Sequence, residues 1–432
     1  MLHPNYSINE SDHLTVGGAD TVTLAEKYGT PLYVIDEDAI RAQCRLYQSA
    51  MKRCFGADST IHYASKALSC KAIYRILRDA GVGVDLVSPG ELYTAKAAGF
   101  DLADASFHGN NKTDREIENA IADGIGEFMV DSFEELEAID RIAGQRGVTQ
   151  RIMLRLTPNI DAHTQKAILT GQLDSKFGTP IATGQAERLV RLALSKKNLI
   201  LEGFHSHIGS QIFEYEPYVE QAKVMFEFMA DMKAKTGYEA KKINLGGGFA
   251  VRYTEDQPTV DIVGNIEKIA AEVDRLIAQY SLRRPTILME PGRSIVAAAG
   301  VTLYTVGTVK EIEGVRTYVS VDGGMTDNPR FALYRAPYTV ALANKMNEKI
   351  GLRASLVGRC CESGDIIQED VGFPETVVRG DVAAVMTTGA YNYAMSSNYN
   401  RIPRPPVVMI KGGEDTLAVR RETFADICKN DI

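Results

Sequence analysis

The chain lacks the features of a membrane protein or a nucleic-acid-binding protein. No segment of its 432 residues reaches the run of about eighteen apolar residues that a membrane helix needs. Its start has neither the basic stretch nor the apolar core of a secretion signal. The net charge of -8 makes nucleic acid and anionic membranes poor partners. We therefore expect a cytoplasmic protein with no nucleic-acid or membrane partner.

The sequence is also poor in cysteine and in nucleotide-binding motifs. Its 6 cysteines show no C-x-x-C spacing, so we expect neither a zinc cluster nor a disulfide framework. The motifs G-x-G-x-x-G and G-x-x-x-x-G-K-[ST] do not occur, which argues against a dinucleotide or a nucleoside triphosphate. The 45% hydrophobic and 24% charged residues are typical of an enzyme, and the length exceeds the usual limit of one hydrophobic core. Two domains are predicted.

Short apolar runs alternate with amphipathic stretches between about residues 36 and 290. Strands that alternate with helices indicate a parallel sheet, and eight such units indicate a (β/α)8 barrel. The predicted strands are 61–64, 84–87, 105–108, 127–130, 152–156, 201–205, 242–245 and 286–289.

The alternation of predicted strands and helices ends after residue 293. Runs rich in β-formers at 301–310, 317–321, 354–357 and 382–386 are separated by glycine, proline and acidic turns, which predicts a mostly antiparallel β domain. A strand at 31–35 lies outside the eight units and is expected to join that domain. A helix whose apolar stripe is Ile40, Cys44, Tyr47 and Met51 precedes the first barrel strand. The predicted domains are a barrel over 36–290 and a β-sandwich-like or β-barrel-like domain from 1–35 and 291–432.

Three chemically distinct features follow predicted barrel strands. Lys66 follows the first strand, Gly246, Gly247 and Gly248 follow the seventh, and Glu290 follows the eighth. Loops after the strands carry the active sites of barrels, and phosphate sites are frequent after strand seven. A Schiff-base lysine, a glycine backbone for a phosphate and a carboxylate facing a pyridine nitrogen are what pyridoxal 5'-phosphate demands. Alone, each has a simpler interpretation: a surface lysine, a flexible turn, or an ion pair of Glu290 with Arg293.

His205 and His207 lie at alternating positions, so both imidazoles are expected to face one side. A zinc pair is one interpretation, but it needs more ligands and the sequence offers no second histidine cluster, so no metal is expected. Two hydrogen-bonded core histidines are another. The third places one imidazole against the cofactor ring, with Ser210 and the Gly209 backbone on the phosphate.

The β domain contains a thiol beside a carboxylate, at Cys361 and Glu362. Cysteine can donate a proton near neutral pH. Adjacent Cys360 and Cys361 could instead be core thiols or a strained disulfide. Loops that concentrate tyrosine and arginine, at 328–334 and 389–395, favour a polar small molecule as ligand.

Together these motifs resemble those of the fold type III pyridoxal-phosphate decarboxylases, and within them the diaminopimelate decarboxylases, over residues 33–405. The matching segments are Y-A-x-K-A at 63–67, H-x-H-I-G-S-Q at 205–211, G-G-G-F at 246–249, E-P-G-R at 290–293, C-E-S-x-D at 361–365 and G-A-Y at 389–391. Two departures concern loop shape: Phe331 stands where the family usually has proline, and Pro89 where glycine is common.

The resemblance implies decarboxylation of meso-2,6-diaminopimelate to L-lysine and CO2, the last step of lysine biosynthesis. It implies that Lys66 carries pyridoxal 5'-phosphate, that His207 stacks on the ring, and that Cys361 protonates the product carbon from the second subunit of a homodimer. The other cofactor residues that it implies are Ser210, Gly246, Gly247, Gly248, Glu290, Gly292, Arg293 and Tyr391. The substrate-binding residues that it implies are Arg293, Arg330, Tyr334, Glu362 and Tyr391.

Two alternatives stay open from the sequence. The chain could decarboxylate another basic amino acid or polyamine precursor, of the ornithine, arginine or carboxynorspermidine type. It could instead be a non-catalytic pyridoxal-phosphate protein, although such proteins resemble the barrel alone, and the long β domain with Cys361 argues against that interpretation.

Overall fold

The chain folds into two compact units, seen in a computed structural model that describes residues 2–160 and 174–432. The barrel unit comprises Gln43–Ala250 and Val260–Gly292, and the β unit comprises Met1–Ala42, Val251–Thr259 and Arg293–Ile432. The segment Val251–Thr259 and the residues from 36 to 42 therefore cluster with the β unit, although the sequence pattern assigned them to the barrel. Each unit is described by itself below.

The elements are numbered in chain order. The strands are β1 Tyr6–Ile8, β2 Leu14–Val16, β3 Ala19–Asp20, β4 Leu32–Asp36, β5 Thr60–Ala64, β6 Gly83–Leu86, β7 Ala105–Phe107, β8 Glu127–Val130, β9 Gln150–Thr157, β10 Thr179–Pro180, β11 Leu199–His205, β12 Lys242–Asn244, β13 Thr286–Met289, β14 Gly300–Ile312, β15 Arg316–Val321, β16 Val340–Leu342, β17 Ile350–Val357, β18 Ile366–Pro374, β19 Val382–Met386, β20 Val407–Lys411 and β21 Glu414–Val419. The helices are α1 Thr21–Tyr28, α2 Glu37–Phe55, α3 Lys71–Asp79, α4 Pro89–Ala97, α5 Asp114–Ala122, α6 Phe133–Arg146, α7 Gln185–Ser195, α8 Glu216–Thr236, α9 Ile262–Tyr280, α10 Arg293–Val296, α11 Arg330–Tyr334 and α12 Phe424–Cys428.

The barrel unit is a closed parallel barrel. Strands β5, β6, β7, β8, β9, β11, β12 and β13 pair in that order, β13 pairs with β5 to close the ring, and the short β10 adds to β9. All these pairings are parallel. The four residues of β8 are all buried, as expected for strands that are covered on both faces. Every strand predicted from the sequence forms, so the predicted barrel class is confirmed.

Helices of the barrel unit begin and end where their local sequence directs. Ser88 caps α4 and Pro89 opens it, and Thr113 with Glu116 forms a capping box at α5. The predicted stripe of α2 is buried, with Cys44, Tyr47 and Met51 at 0% exposure. Within the two described ranges, no helix combines the length and the apolar character that crossing a membrane requires.

The β unit is built around the long strand β14. This strand pairs antiparallel with β4, β15 and β19, and further antiparallel pairs are β16–β19, β17–β18 and β20–β21. The pairs β15–β17 and β4–β20 are parallel, so the sheet is mixed, although mostly antiparallel as predicted. The predicted strand at 31–35 is β4, which lies between β14 and β20. A separate antiparallel sheet of β1, β2 and β3 precedes it.

Candidate active site

The loops after β5 and β13 meet at the carboxyl end of the barrel strands. Lys66 lies in the 3-10 turn Ser65–Ala67 that follows β5 directly, and its side chain is exposed. The N–H of Ala64 donates to the carbonyl of Pro291 at 3.3 Å. A Cβ on Gly292 would lie 2.9 Å from the Cβ of Ala64, so only glycine allows this approach. The predicted amine and the E-P-G-R loop are thereby held side by side.

Glu290 has polar partners from several strands of the barrel unit. Its side chain is 6% exposed and follows β13. Oε2 lies 2.9 Å from Nε2 of His205, and Oε1 lies 3.0 Å from Nε2 of His108. Asn244 donates from Nδ2 to Oε1 at 2.7 Å. A buried carboxylate is costly unless it is paired, and here His205 and Asn244 donate hydrogen bonds to it while the imidazole of His108 lies close by.

These partners fix the protonation of the cluster. Burial alone would raise the pKa of Glu290, but His108 and His205 act against it and hold the pKa well below its ordinary value. Burial lowers the pKa of His205, although Glu290 opposes that shift. Glu290 therefore remains an anion while its imidazole partner readily stays neutral. A fixed anion at the mouth of a barrel suits a ligand with a positive ring nitrogen.

Asn244 connects Glu290 to the glycine loop. Its Oδ1 accepts from the N–H of Gly246 at 2.9 Å, and the N–H of Glu290 donates to the carbonyl of Gly246 at 2.7 Å. Gly246 has φ 68°, and a Cβ on it would lie 2.7 Å from the carbonyl oxygen of Ser206. Glycine is therefore required at this position. Asn244 belongs to no motif in the sequence, and its only signal is that it ends β12 two residues before the glycines.

A glutamine of α8 ties the histidine loop to the glycine loop. Gln221 is fully buried and donates from Nε2 to Ser206 O at 3.0 Å, to Ser206 Oγ at 2.8 Å and to Leu245 O at 3.0 Å. Because these acceptors end two neighbouring strands, one amide sets the spacing of both loops. Ser210 lies further along the same histidine loop and is half-buried.

His207 lies beyond the end of β11 and is half-buried. Burial lowers the pKa of His207 well below its ordinary value, and the positive charges of Lys66 and Arg155 add to the effect. A neutral imidazole at this position suits a flat contact with an aromatic ring. His205, the other member of the predicted pair, is instead engaged with Glu290 and packs edge-on against His108, with ring centroids 5.0 Å apart.

A further acid, Glu91 of α4, lies close enough to Lys66 for their charges to interact. Burial raises the pKa of Glu91 to about 7, although the N–H of Val87, which donates to its Oε2 at 2.8 Å, and the charge of Lys66 both act against the shift. Near neutral pH this carboxyl group can both hold and release a proton.

His108, His205 and Glu290 also form the group that could bind a metal ion in the described part of the chain, since their ligand atoms lie within 4.8 Å of one another. His205 is thus joined by His108, which the sequence did not indicate, because residues 108 and 205 are distant along the chain. Hydrogen bonds from His205 and Asn244 already satisfy the carboxylate.

In the β unit, two predicted substrate residues are buried arginines. Arg293 begins α10, and its guanidinium lies 4.7 Å from the ring centroid of Tyr391. Arg330 begins α11 and donates from Nη1 to the hydroxyl of Tyr338 at 2.6 Å. Tyr334 ends α11 and is half-buried. Tyr391 has φ 60° in the loop after β19, a backbone conformation that is rare outside glycine.

Cys361 and Glu362 lie on an exposed loop of the β unit. The N–H of Cys361 donates to Oδ1 of Asn400 at 2.7 Å. Buried Asp365 accepts from the N–H of Cys360 at 2.7 Å and so fixes the base of the loop. Both cysteines are free thiols, which rules out the disulfide considered above. Burial, with the charge of Asp365, raises the pKa of Cys360 to about 11.

Comparison with known proteins gives consistent matches over the whole chain. The family described as "Pyridoxal-dependent decarboxylase, pyridoxal binding domain" matches residues 37–297. A protein of Bacillus methanolicus named diaminopimelate decarboxylase is 46% identical over 421 residues, which are 98% of this chain and 97% of that protein. One of Bacillus subtilis with the same name is 45% identical over 432 residues, 100% of this chain and 98% of that protein. The crystal structure of diaminopimelate decarboxylase from M. jannaschii in complex with L-lysine has a TM-score of 0.91 and 35% identity, covering 100% of this chain and 99% of that one.

The Asn244 bridge predicts a loss of cofactor affinity in Asn244→Ala. The variant removes a bond to the anionic Glu290 and leaves the N–H of Gly246 without its side-chain acceptor. We expect the dissociation constant of pyridoxal 5'-phosphate to rise roughly tenfold, because a hydrogen bond to a charged group contributes about 1.5–3 kcal/mol. Titration of the apoenzyme with the cofactor, followed by absorbance, measures it.

The matched control is Asn198→Ala. Asn198 also joins two elements of the barrel unit, through bonds of 3.1 Å from its Nδ2 to the carbonyl and the carboxylate of Asp140, but it lies next to β11 at the amino end of the strand. Asn198→Ala should leave the affinity for pyridoxal 5'-phosphate unchanged. An equal loss in both variants would mean that Asn244 acts through general stability alone.

The depressed pKa of His205 predicts a loss of stability in mild acid. Below its ordinary pKa of 6.5, the unfolded chain takes up a proton at His205 that the folded chain does not. Stability is therefore greatest above that pH and falls as the pH decreases, by about 1.4 kcal/mol for each pH unit below it. The depressed pKa of Glu290 keeps its contribution intact in this window, since that contribution is lost only at lower pH.

Urea unfolding midpoints of the wild type and of His205→Asn between pH 7.5 and 5.5 measure this dependence. In the variant, the free energy of unfolding should depend less steeply on pH, by the contribution of about one proton, or about 1.4 kcal/mol per pH unit. Equal slopes in the two proteins would show that His205 takes up its proton in the folded state as easily as in the unfolded state. An NMR titration of the folded wild type gives a second measurement, since the imidazole of His205 should remain neutral well below pH 6.5.

Proposed function

The chain belongs to the pyridoxal-dependent decarboxylases, among the diaminopimelate decarboxylases, and from this we propose roles for the residues of its two units. Its function is the decarboxylation of meso-2,6-diaminopimelate to L-lysine and CO2, the last step of lysine biosynthesis, with pyridoxal 5'-phosphate as cofactor. The observation that carries the assignment of roles is the buried, ionised Glu290, which is hydrogen-bonded to His205, Asn244 and the loop of Gly246 and lies beside His108.

The residues at the carboxyl end of the barrel fit this cofactor. Lys66 is an exposed amine directly after β5, and Glu290 stays an anion, as a partner of a protonated pyridine nitrogen must. We assign the ring face to His207 and the phosphate to Ser210 with the backbone of Gly246–Gly248, and we assign Gly292, Arg293 and Tyr391 to the same cofactor. When bound, the cofactor supplies an electron sink for the electron pair that remains after CO2 leaves.

The protein's own part in the reaction is to orient groups and to move protons. Lys66 binds the cofactor and must yield to the amine of the substrate, and a proton has to leave that amine. We assign the acceptance of this proton to Glu91, because its pKa is raised to about 7 and its charge interacts with that of Lys66. Cys361 then donates a proton to the carbon that has lost its carboxylate.

The far end of the substrate carries an ammonium and a carboxylate. We assign the carboxylate to Arg293 and Arg330, because both are cationic, and the ammonium to Glu362. Tyr334 and Tyr391 complete this set. An ornithine-type substrate lacks the distal carboxylate and has no use for two arginines, so these residues favour diaminopimelate over the alternative substrates. Fixing both ends of the substrate orients the bond that breaks.

We also propose that the chain acts as a homodimer in which Cys361 serves the active site of the partner subunit. Its support is the family resemblance, together with the exposure of Cys361 and Glu362 on their loop. A residue that donates a proton to a substrate must be covered when it acts. Exposure in the single chain is what an interface residue would show.

The substrate assignment predicts that the wild-type protein releases CO2 and L-lysine from meso-diaminopimelate, and turns over ornithine at least a hundredfold more slowly. Lys66→Ala should lose both the visible cofactor band and all product. Borohydride reduction and peptide mapping of the wild type should place the cofactor on Lys66. Lys71→Ala is the control, since Lys71 is exposed only five residues away. Label on another lysine, or ornithine as the better substrate, would contradict the assignment.

The proton-donor role predicts that Cys361→Ala lowers kcat by about two orders of magnitude, the usual contribution of a positioned general acid. The cofactor spectrum should not change, because Cys361 is not one of the residues that we assign to the cofactor. Cys428→Ala, which removes another exposed free thiol of the β unit, should retain full activity.

The shared site is tested by mixing inactive Lys66→Ala with inactive Cys361→Ala. If Cys361 acts on the partner's site, mixed dimers contain one intact site, and activity should return to about a quarter of the wild-type value. No recovery after verified subunit exchange would show that both residues act within one chain.

A further inference from the structure

Tyr253 lies at the centre of the arginine cluster of the β unit. Arg293 donates from Nη1 to its hydroxyl at 2.8 Å. The guanidinium of Arg330 lies 4.8 Å from the centroid of its ring. One phenol thus contacts two buried cations, one through its oxygen and the other through its π face, which are the two ways in which tyrosine can stabilise a guanidinium. No motif in the sequence pointed to Tyr253.

The backbone of Tyr253 is held as firmly as its side chain. Its N–H donates to Oε1 of Gln257 at 2.7 Å. Its carbonyl accepts from the N–H of Thr339 at 3.2 Å and from Oγ1 of Thr339 at 2.9 Å. The residue is 2% exposed. Tyr253 is therefore a fixed point against which longer, more flexible side chains can be ordered.

Neighbouring aromatic groups extend this support to the second arginine. The ring of Tyr338 packs edge-on against that of Tyr253, with centroids 5.4 Å apart. The hydroxyl of Tyr338 accepts from Arg330 at 2.6 Å and from Nδ2 of Asn392 at 3.2 Å. Arg330 is thus bound at its end by Tyr338 and across its plane by Tyr253.

The energetic problem of the cluster is the proximity of two like charges. Arg293 and Arg330 are 7% and 6% exposed, so water screens them poorly. Burial would raise the pKa of Tyr253, but both guanidiniums act to lower it, which shows that each exerts a strong field at the same phenol. A carboxylate that reached both guanidiniums would relieve their repulsion.

We propose that Tyr253 is a positioning residue that sets the spacing of Arg293 and Arg330 for the substrate carboxylate that does not react. This inference rests on the proposed function, because it takes from it the assignment of the two arginines to the distal end of diaminopimelate. Tyr253 touches neither the reacting carbon nor the departing carboxylate in this role. Its effect is on specificity, since this carboxylate separates diaminopimelate from simple diamines.

Two inhibitors that differ in that carboxylate alone test the proposal. L-lysine retains the carboxylate, and cadaverine, 1,5-diaminopentane, does not. In the Tyr253→Phe holoenzyme, we expect the inhibition constant of L-lysine and the KM of diaminopimelate to rise roughly tenfold, the size of a lost bond to a charged group. The inhibition constant of cadaverine should change by less than about twofold, and kcat by less than about threefold.

Tyr6→Phe is the matched control. Tyr6 is another buried tyrosine of the β unit, and its hydroxyl donates to the carbonyl of Gly300 at 3.0 Å and accepts from the N–H of Thr387 at 3.3 Å. It measures the general cost of removing a buried hydroxyl. If Tyr253→Phe shifts L-lysine and cadaverine equally, or neither, the proposal is wrong. Should that variant not fold, Gln257→Ala, which frees the backbone of Tyr253, must raise the ratio of the two constants instead.

Failure of this inference is separable from failure of the proposed function. If the wild type formed no L-lysine from diaminopimelate, the proposed function would be lost. The wild type could instead form L-lysine while the ratio of the inhibition constants of L-lysine and cadaverine stayed the same in Tyr253→Phe and wild type. The proposed function would then hold, and the proposed role of Tyr253 would be wrong.

Discussion

The active site depends on keeping one carboxylate ionised inside the barrel. Burial alone would protonate Glu290 and remove its charge, and the protein prevents this with His108, His205 and Asn244, which come from the ends of three different strands. The same bonds fix the glycine loop, since Asn244 also accepts from Gly246. One hydrogen-bond network thus sets both the charge of Glu290 and the shape of the glycine loop, because Asn244 belongs to both.

This network also explains why the two members of the histidine motif behave differently. His205 ends β11, is almost fully buried and pairs with Glu290, whereas His207 lies beyond the strand and stays half-buried with a lowered pKa. One imidazole holds the anion, and the other offers a neutral face. The arginine cluster of the β unit solves the opposite problem, since it holds two cations close together on the phenol of Tyr253.

Much of the architecture could be predicted because its signals are local. A barrel strand is an apolar run buried on both faces, and caps such as Thr113 with Glu116 mark where a helix begins, so strand positions and fold class followed from pattern. Lys66, the glycines and Glu290 could be predicted as a set because each ends a strand, and parallel strands in a barrel end on one face. The function predicted from the sequence agrees with the names of the relatives, because these motifs together are specific for one family of decarboxylases. The unit boundary near Val251–Thr259 could not be predicted, since this short segment carries no compositional change.

The sequence by itself determined the fold class, the cofactor chemistry and the residues that follow the strands, because periodicity and motif spacing are properties of neighbouring residues. Tertiary structure alone decided which polar side chains contact each other. His108 and Asn244 are separated from Glu290 by long stretches of chain, and Tyr253 from Arg330 likewise, so no spacing rule connects them. Their roles arise because burial forces each charged group to find a partner, and the partner is whatever the closed barrel or the packed sheet brings within hydrogen-bonding distance.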